Sequence, residues 1–168
     1  MILTVWIVAA SSGCTYSFLA ERNRRLLCMK EMAEGLRRLG FYISRWQLPL
    51  EEAFEALERE GAGILSDLYK KTAEELKNRR ASDLGDFWRE ESRTFLRQYD
   101  LPPYVTEIWC GAFADLAPLP EEEQRRLALK AEQIEKICGE KEEKYRQERR
   151  PLMAAGVSAG LLFCLLMW

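Results

Sequence analysis

Histidine is absent from this chain of 168 residues. Its absence removes the side chain that most often acts as a general base, and with it the Ser–His and Cys–His nucleophile pairs. It also removes nearly all zinc sites, except those built only from thiolates or carboxylates. A G-x-x-x-x-G-K-[ST] motif is missing as well, so the chain does not bind a nucleotide through a P-loop. We therefore assign no catalytic residue, no metal ligand and no cofactor, and predict that the protein is not an enzyme.

Paired cysteines are also lacking. The five cysteines show no C-x-x-C spacing, which argues against a disulfide framework. Lone cysteines are typical of a reducing cytosolic environment, where they pack as small hydrophobic side chains.

Charge is missing from both ends of the chain. The 25 Lys and Arg and the 27 Asp and Glu residues all lie between Glu21 and Arg150. The uncharged ends, residues 1–20 and 151–168, each approach the roughly 20 apolar residues that cross a bilayer. The sequence predicts two transmembrane helices that flank a domain at 21–150.

Lysine and arginine flank both predicted spans, and basic flanks stay on the cytoplasmic side of a membrane. We therefore expect an integral protein of the cell membrane whose middle domain is cytoplasmic. A cleaved signal peptide is the alternative for residues 1–20. No basic residue precedes the apolar run, and Phe18-Leu19-Ala20 is a poor cleavage site, so a retained span is favoured.

The middle domain has helical periodicity almost throughout, and no strand is predicted. The predicted fold is all-α, a bundle of about six helices whose first and last helices continue into the spans. Gly35 is expected to be a tolerated flaw in the first helix, and Trp46, Leu50 and Phe54 to pack the second helix against it. The six predicted segments are 25–43 with an apolar stripe, a short helix after Pro49, 64–76, 87–99 capped by Ser82 or Asp83, 105–116, and 121–150 continuing across Pro151. The acidic run 121–123 is typical of a solvated helix start.

Small residues within the spans indicate how the two spans would pack together. Gly156 and Gly160 form a G-x-x-x-G pattern, and Ala9 with Gly13 forms a weaker small-residue face. The common occurrence of such residues in membrane helices is the competing explanation.

A helical bundle without catalytic residues is expected to act through contacts between its surface and other proteins. Arginine is favoured at contacts between proteins because its planar fork binds carboxylates while its stem covers apolar area. The edges of the first two helices offer Arg37, Arg38, Arg45 and Glu52 as a partner surface, although each of them also fits an ordinary solvated face. The net charge of −2 does not favour a nucleic acid as the partner. We also expect no small-molecule substrate.

The segment LGFYISRWQLPLEEAFEAL, the Gln in LPEEEQRRL and the terminal EKYRQERRPLMAAGVSAGLLFCLLMW resemble the stage III sporulation protein AB family of endospore-forming bacteria. The most specific parts are Ile43 to Phe54, with its Pro-Leu-x-x-Ala turn, and Tyr145 to Trp168. That family is similar to the cytosolic domains of the inner-membrane platform protein of type II secretion and type IV pilus systems.

The resemblance implies a scaffold in a channel between mother cell and forespore. Its implied partners are a hexameric secretion-type ATPase, stage III sporulation protein AA, other membrane proteins of the channel, and the lipid bilayer. A small membrane-anchored regulatory adaptor that recruits a cytosolic protein unrelated to secretion is the alternative.

The orientation is testable with a Glu122→Cys variant in a background without the native cysteines. Because basic flanks hold residues 21–150 in the cytoplasm, we expect this thiol to resist a membrane-impermeant maleimide in intact cells and to react after lysis. Labelling in intact cells would contradict the orientation.

Overall fold

The computed structural model of the protein describes residues 2–60, 63–78, 84–114 and 119–166, with side chains at 17, 19–60, 63–78, 84–114 and 119–148. Over these residues all regular structure is helical, which confirms the predicted all-α class. The helices are α1 (Ile2–Arg45), α2 (Leu50–Glu60), α3 (Ser66–Lys77), α4 (Leu84–Leu96), α5 (Pro103–Cys110) and α6 (Pro120–Leu166), with a 3₁₀ turn at Arg97–Tyr99.

The backbone of α6 is helical across Pro151, as the sequence predicts. Within the described residues, no helix combines the length and the apolar character that crossing a bilayer requires. The side chains of residues 1–16 and 149–168 lie outside that description. The spans at 1–20 and 151–168, and their packing through Ala9, Gly13, Gly156 and Gly160, therefore stay predictions.

The structure divides into two compact units. One combines the N-terminal part of α1 with the C-terminal part of α6, and the other is Leu27–Cys138. In the first unit, the Arg22 guanidinium pairs with Glu148 at 3.0 Å and lies 4.5 Å from the centre of the Tyr145 ring.

Aromatic side chains from α2, α4, α5 and the turn that follows α5 form the core of the second unit. Phe54 and Trp88 have ring centres 5.6 Å apart, and Phe113 meets Trp88 edge-on at 4.8 Å. The Trp88 indole N–H donates to the Trp109 carbonyl at 2.9 Å, and the Trp109 indole donates to Ser92 Oγ at 3.1 Å. Both indoles are therefore buried with their polar atoms satisfied.

The predicted stripe on α1 is buried within the second unit. Met29, Met32, Leu36 and Leu39 are all buried, and Ile43 is half-buried. Most helical stability in proteins comes from packing such an amphipathic face, so this stripe fixes which side of α1 faces the other helices.

The predicted fifth helix ends earlier than its periodicity indicates. α5 stops at Cys110, and Ala112 and Phe113 are buried in the turn that follows. The carbonyls of Gly111 and Ala112 accept hydrogen bonds from Lys130 at 2.5 Å and Arg126 at 2.6 Å, both on α6. These contacts satisfy carbonyls that would otherwise need another helical turn. The predicted caps Ser82 and Asp83 lie outside the described residues.

Two side chains differ from expectation in burial. Phe54 is buried and Leu50 is half-buried, but Trp46 is 55% exposed, so Trp46 does not pack α2 against α1. Glu123 is 3% exposed rather than solvated, and Arg126 pairs with its buried carboxylate at 2.6 Å.

Gly35 is required by a close contact, and the expectation that it is only a tolerated flaw is wrong. A Cβ at Gly35 would lie 2.0 Å from the Tyr69 hydroxyl oxygen. The absent side chain is what lets α3 place Tyr69 against α1.

We expect Gly35→Ala to destabilise the full-length protein by about 1–3 kcal/mol, because the overpacking outweighs the gain in helix propensity. The cost should fall by about 1 kcal/mol or more in a Tyr69→Phe background, which removes the clashing atom. Urea unfolding followed by tryptophan fluorescence measures both values.

Gly139→Ala is the matched control, since a Cβ there meets nothing within 4 Å. It should stabilise α6 by up to about 1 kcal/mol. Equal effects of alanine at the two glycines would show that Tyr69 does not restrict position 35.

Candidate interaction surface

Three aromatic side chains cluster at the C-terminal end of α1. The Trp46 ring stacks on Tyr42 with centres 5.1 Å apart and meets Phe41 edge-on at 5.5 Å. Tyr42 is buried, whereas Phe41 is 42% and Trp46 55% exposed. The cluster therefore presents two large aromatic side chains to solvent.

The turn after α1 places Trp46 in this cluster. Gln47 adopts the left-handed conformation with φ of 50°, and the Leu48 N–H donates to the Tyr42 carbonyl at 3.2 Å. A left-handed residue after the last turn reverses the chain and satisfies a carbonyl at the helix end.

The exposed aromatics line a shallow groove of about 560 Å³ between α1, the end of α2 and α6. We call it the aromatic groove. Its lining residues are Glu34, Arg37, Arg38, Phe41, Tyr42, Trp46, Glu60, Gln124 and Ala128.

The charged rim of the aromatic groove is internally paired. Arg37 contacts Glu135 on α6 at 2.5 Å. Arg38 contacts Glu34 at 2.8 Å and Glu60 at 3.5 Å. The hydrogen bond to Glu34 raises the pKa of Arg38 above its ordinary value. Such exposed pairs contribute only about 0–1 kcal/mol each, so their main effect is to orient the guanidinium groups.

Tyr42 connects the aromatic cluster to this rim. Its hydroxyl donates a hydrogen bond to Glu60. Burial, together with the bond to Glu60, raises the pKa of Tyr42 from 10.0 to about 12. The neutral hydroxyl is thus the form that the folded protein stabilises.

The structure brings two of the four predicted surface residues into the groove. Arg37 and Arg38 line it, while Arg45 and Glu52 are exposed but do not. Phe41 and Trp46 were not predicted to belong to this surface, and Trp46 was expected to pack α2 against α1 instead. Phe41 lies off the apolar stripe of α1. An aromatic residue on the otherwise polar face of the helix is the sequence feature that could have predicted its exposure.

No cluster that could hold a metal ion occurs among the residues that the structure describes.

A model of the stage III sporulation protein AB family matches residues 1–168. The chain belongs to this family. Membership connects the protein to stage III of sporulation. No curated protein and no solved structure matches the chain.

The bond between Tyr42 and Glu60 generates a prediction for alkaline pH. Because the Tyr42 hydroxyl ionises near pH 10 when unfolded and near pH 12 when folded, its contribution is complete below pH 10 and is lost between pH 10 and about 12. We expect the free energy of unfolding of Tyr42→Phe to fall less than that of the wild type over this interval, by on the order of 1 kcal/mol. Urea titrations at pH 9, 10 and 11 measure the difference.

Tyr104→Phe is the control, since Tyr104 is 47% exposed. It should follow the wild-type curve. Identical pH dependence of Tyr42→Phe and wild type would contradict the role of the Tyr42 hydroxyl.

Proposed function

We propose that this protein is a non-enzymatic platform that couples a cytosolic secretion-type ATPase to the membrane components of a sporulation channel between mother cell and forespore. The aromatic groove is the observation that carries the proposal. Tryptophan, tyrosine and arginine are enriched among the residues that dominate binding energy at protein interfaces, and the groove brings these types together.

The membrane part of the proposal is supported by the sequence. Both ends are uncharged, and basic residues follow the first end segment and precede the second. Two anchors would keep the domain that carries the groove attached to the membrane, as a platform between an ATPase and a channel requires.

The ATPase part of the proposal rests on the resemblance seen in the sequence, which implies a similarity to secretion platform proteins. The groove also fits a regulatory adaptor that recruits another cytosolic protein, because its composition indicates a protein partner without selecting one. Co-purification with the ATPase distinguishes the two functions.

A Phe41→Ala/Trp46→Ala variant tests the groove. Removing both exposed anchors should reduce co-purification with stage III sporulation protein AA by roughly tenfold or more and reduce spore formation, because truncated interface anchors often cost 2 kcal/mol or more. An Arg37→Gln/Arg38→Gln/Arg45→Gln variant should weaken the same complex. Glutamine is used because charge reversal would place carboxylates against Glu135 and Glu34.

Matched controls change equally exposed residues elsewhere. Tyr104→Ala/Leu129→Ala removes side chains that are 47% and 53% exposed, and Lys70→Gln/Arg125→Gln/Lys136→Gln removes the same number of charges. Both controls should bind and sporulate normally. Normal spore formation by Phe41→Ala/Trp46→Ala would exclude the groove as the partner surface. If the wild-type protein instead binds another cytosolic protein through the groove and does not bind the ATPase, the adaptor function is favoured.

A further inference from the structure

Two side chains of the aromatic groove carry hydrogen-bond donors that have no acceptor among the residues that the structure describes. They are the indole N–H of Trp46 and the amide nitrogen of Gln124. The amide oxygen of Gln124 is engaged, because it accepts a hydrogen bond from the Ser44 hydroxyl at 2.6 Å. Trp46 is 55% exposed and Gln124 is half-buried, so a partner in the groove can reach both side chains.

The charged rim of the groove offers a partner no unpaired charge. Two arginines and two glutamates line the groove, so its lining carries no net charge. Arg38 pairs with Glu34 and Glu60, and Arg37 pairs with Glu135. A charged partner segment would have to compete with these pairs, whereas an uncharged segment would leave them in place. The charge pattern therefore favours an uncharged segment.

The two donors also restrict the backbone conformation of that segment. An α-helix uses its backbone carbonyls for its own hydrogen bonds, except in the last turn. A β-strand would need the edge of a sheet, and all regular structure of the described residues is helical. A polyproline II segment has no internal hydrogen bonds, so its carbonyls are available to donors of a partner. This conformation therefore fits a groove that presents neutral donors and no sheet edge.

The exposed aromatic rings fit the same conformation. Phe41 meets Trp46 edge-on with ring centres 5.5 Å apart, and Tyr42 stacks on Trp46 at 5.1 Å. Proline-rich segments dock in grooves lined by aromatic side chains, because the polyproline II helix is already formed before binding and loses little conformational entropy. Contacts with both neighbours hold the Trp46 ring in place, so the groove is also ordered before binding.

We propose that the aromatic groove binds an uncharged, proline-containing segment of a partner protein in the polyproline II conformation. The prolines pack on Phe41 and Trp46, and backbone carbonyls of the segment accept hydrogen bonds from the Trp46 indole and the Gln124 amide. The inference rests on the proposed function in taking the groove as a surface that binds a protein, and it adds the chemistry of the segment that is bound.

The test uses the full-length protein and N-acetyl-decaproline amide as the probe. We expect saturable binding and a downfield shift of the Trp46 indole N–H resonance. Phe41→Ala removes an exposed ring and should weaken binding by roughly tenfold. Trp46→Phe keeps a ring but removes the donor, and should weaken binding by roughly three- to tenfold. Gln124→Glu keeps an oxygen for the Ser44 hydroxyl but removes the donor, and should also weaken binding.

Leu129→Ala is the matched control variant, since Leu129 is 53% exposed on the same helix as Gln124 but does not line the groove. It should bind the probe as the wild type does. An uncharged glycine–serine peptide and an uncharged amphipathic helical peptide, both of the length of the probe, are the control peptides. Each should bind at least roughly tenfold more weakly than decaproline. Added salt should leave the affinity for decaproline unchanged, because no charge pair forms on binding.

Three results would overturn the inference: no saturable binding of decaproline, equal or tighter binding of either control peptide, or wild-type affinity in both Phe41→Ala and Trp46→Phe. Failure of the inference differs from failure of the proposed function. If stage III sporulation protein AA binds through the groove and decaproline does not, the inference is wrong and the proposed function stands. If decaproline binds as expected and the ATPase does not bind, the inference stands and the ATPase coupling is wrong.

Discussion

The close approach of two helices to α1 is the constraint on which the second unit depends. At Gly35 the contact is with Tyr69 of α3. At Gly40 a Cβ would lie 3.3 Å from the Cα of Gln124 on α6. One turn later, the Ser44 hydroxyl and the Gln124 side chain are 2.6 Å apart. Contacts this close set the depth and register of both neighbours, and the groove between α1 and α6 follows from them.

Buried polar side chains of this unit differ in whether they have hydrogen-bond partners. In the core, both buried indoles have acceptors, and the Thr72 hydroxyl donates to the Leu68 carbonyl at 2.8 Å. Tyr69 departs from that pattern, although the residue is only 6% exposed. Its hydroxyl oxygen packs against Gly35, so the unsatisfied polar atom lies at the close approach of α3 to α1.

The local sequence pattern predicted most of the helices. The features that it did not predict depend on contacts between helices. Hydrophobic periodicity predicts the α1 stripe. The backbone restrictions of proline predict the start of α2 after Pro49 and the break at Pro102-Pro103. The end of α5 depends on side chains of α6, and the need for glycine at position 35 depends on Tyr69, 34 residues away. The burial of Glu123 likewise follows from packing that leaves Arg126 beside it. No single segment contains this information.

The same distinction applies to the candidate surface. Arginine chemistry pointed to Arg37 and Arg38, yet both are held by carboxylates of this chain, so a partner must compete with existing pairs to reach them. Desolvation of the exposed Phe41 and Trp46 involves no such competition, which makes them the stronger source of binding energy. Glu34 and Glu60 pair with Arg38 at the rim of the groove. Glu60 also accepts a hydrogen bond from the Tyr42 hydroxyl beneath Trp46. A partner that draws Glu60 away from Arg38 would therefore also act on the side chain on which Trp46 stacks, so the charged rim and the aromatic cluster are physically coupled through Glu60.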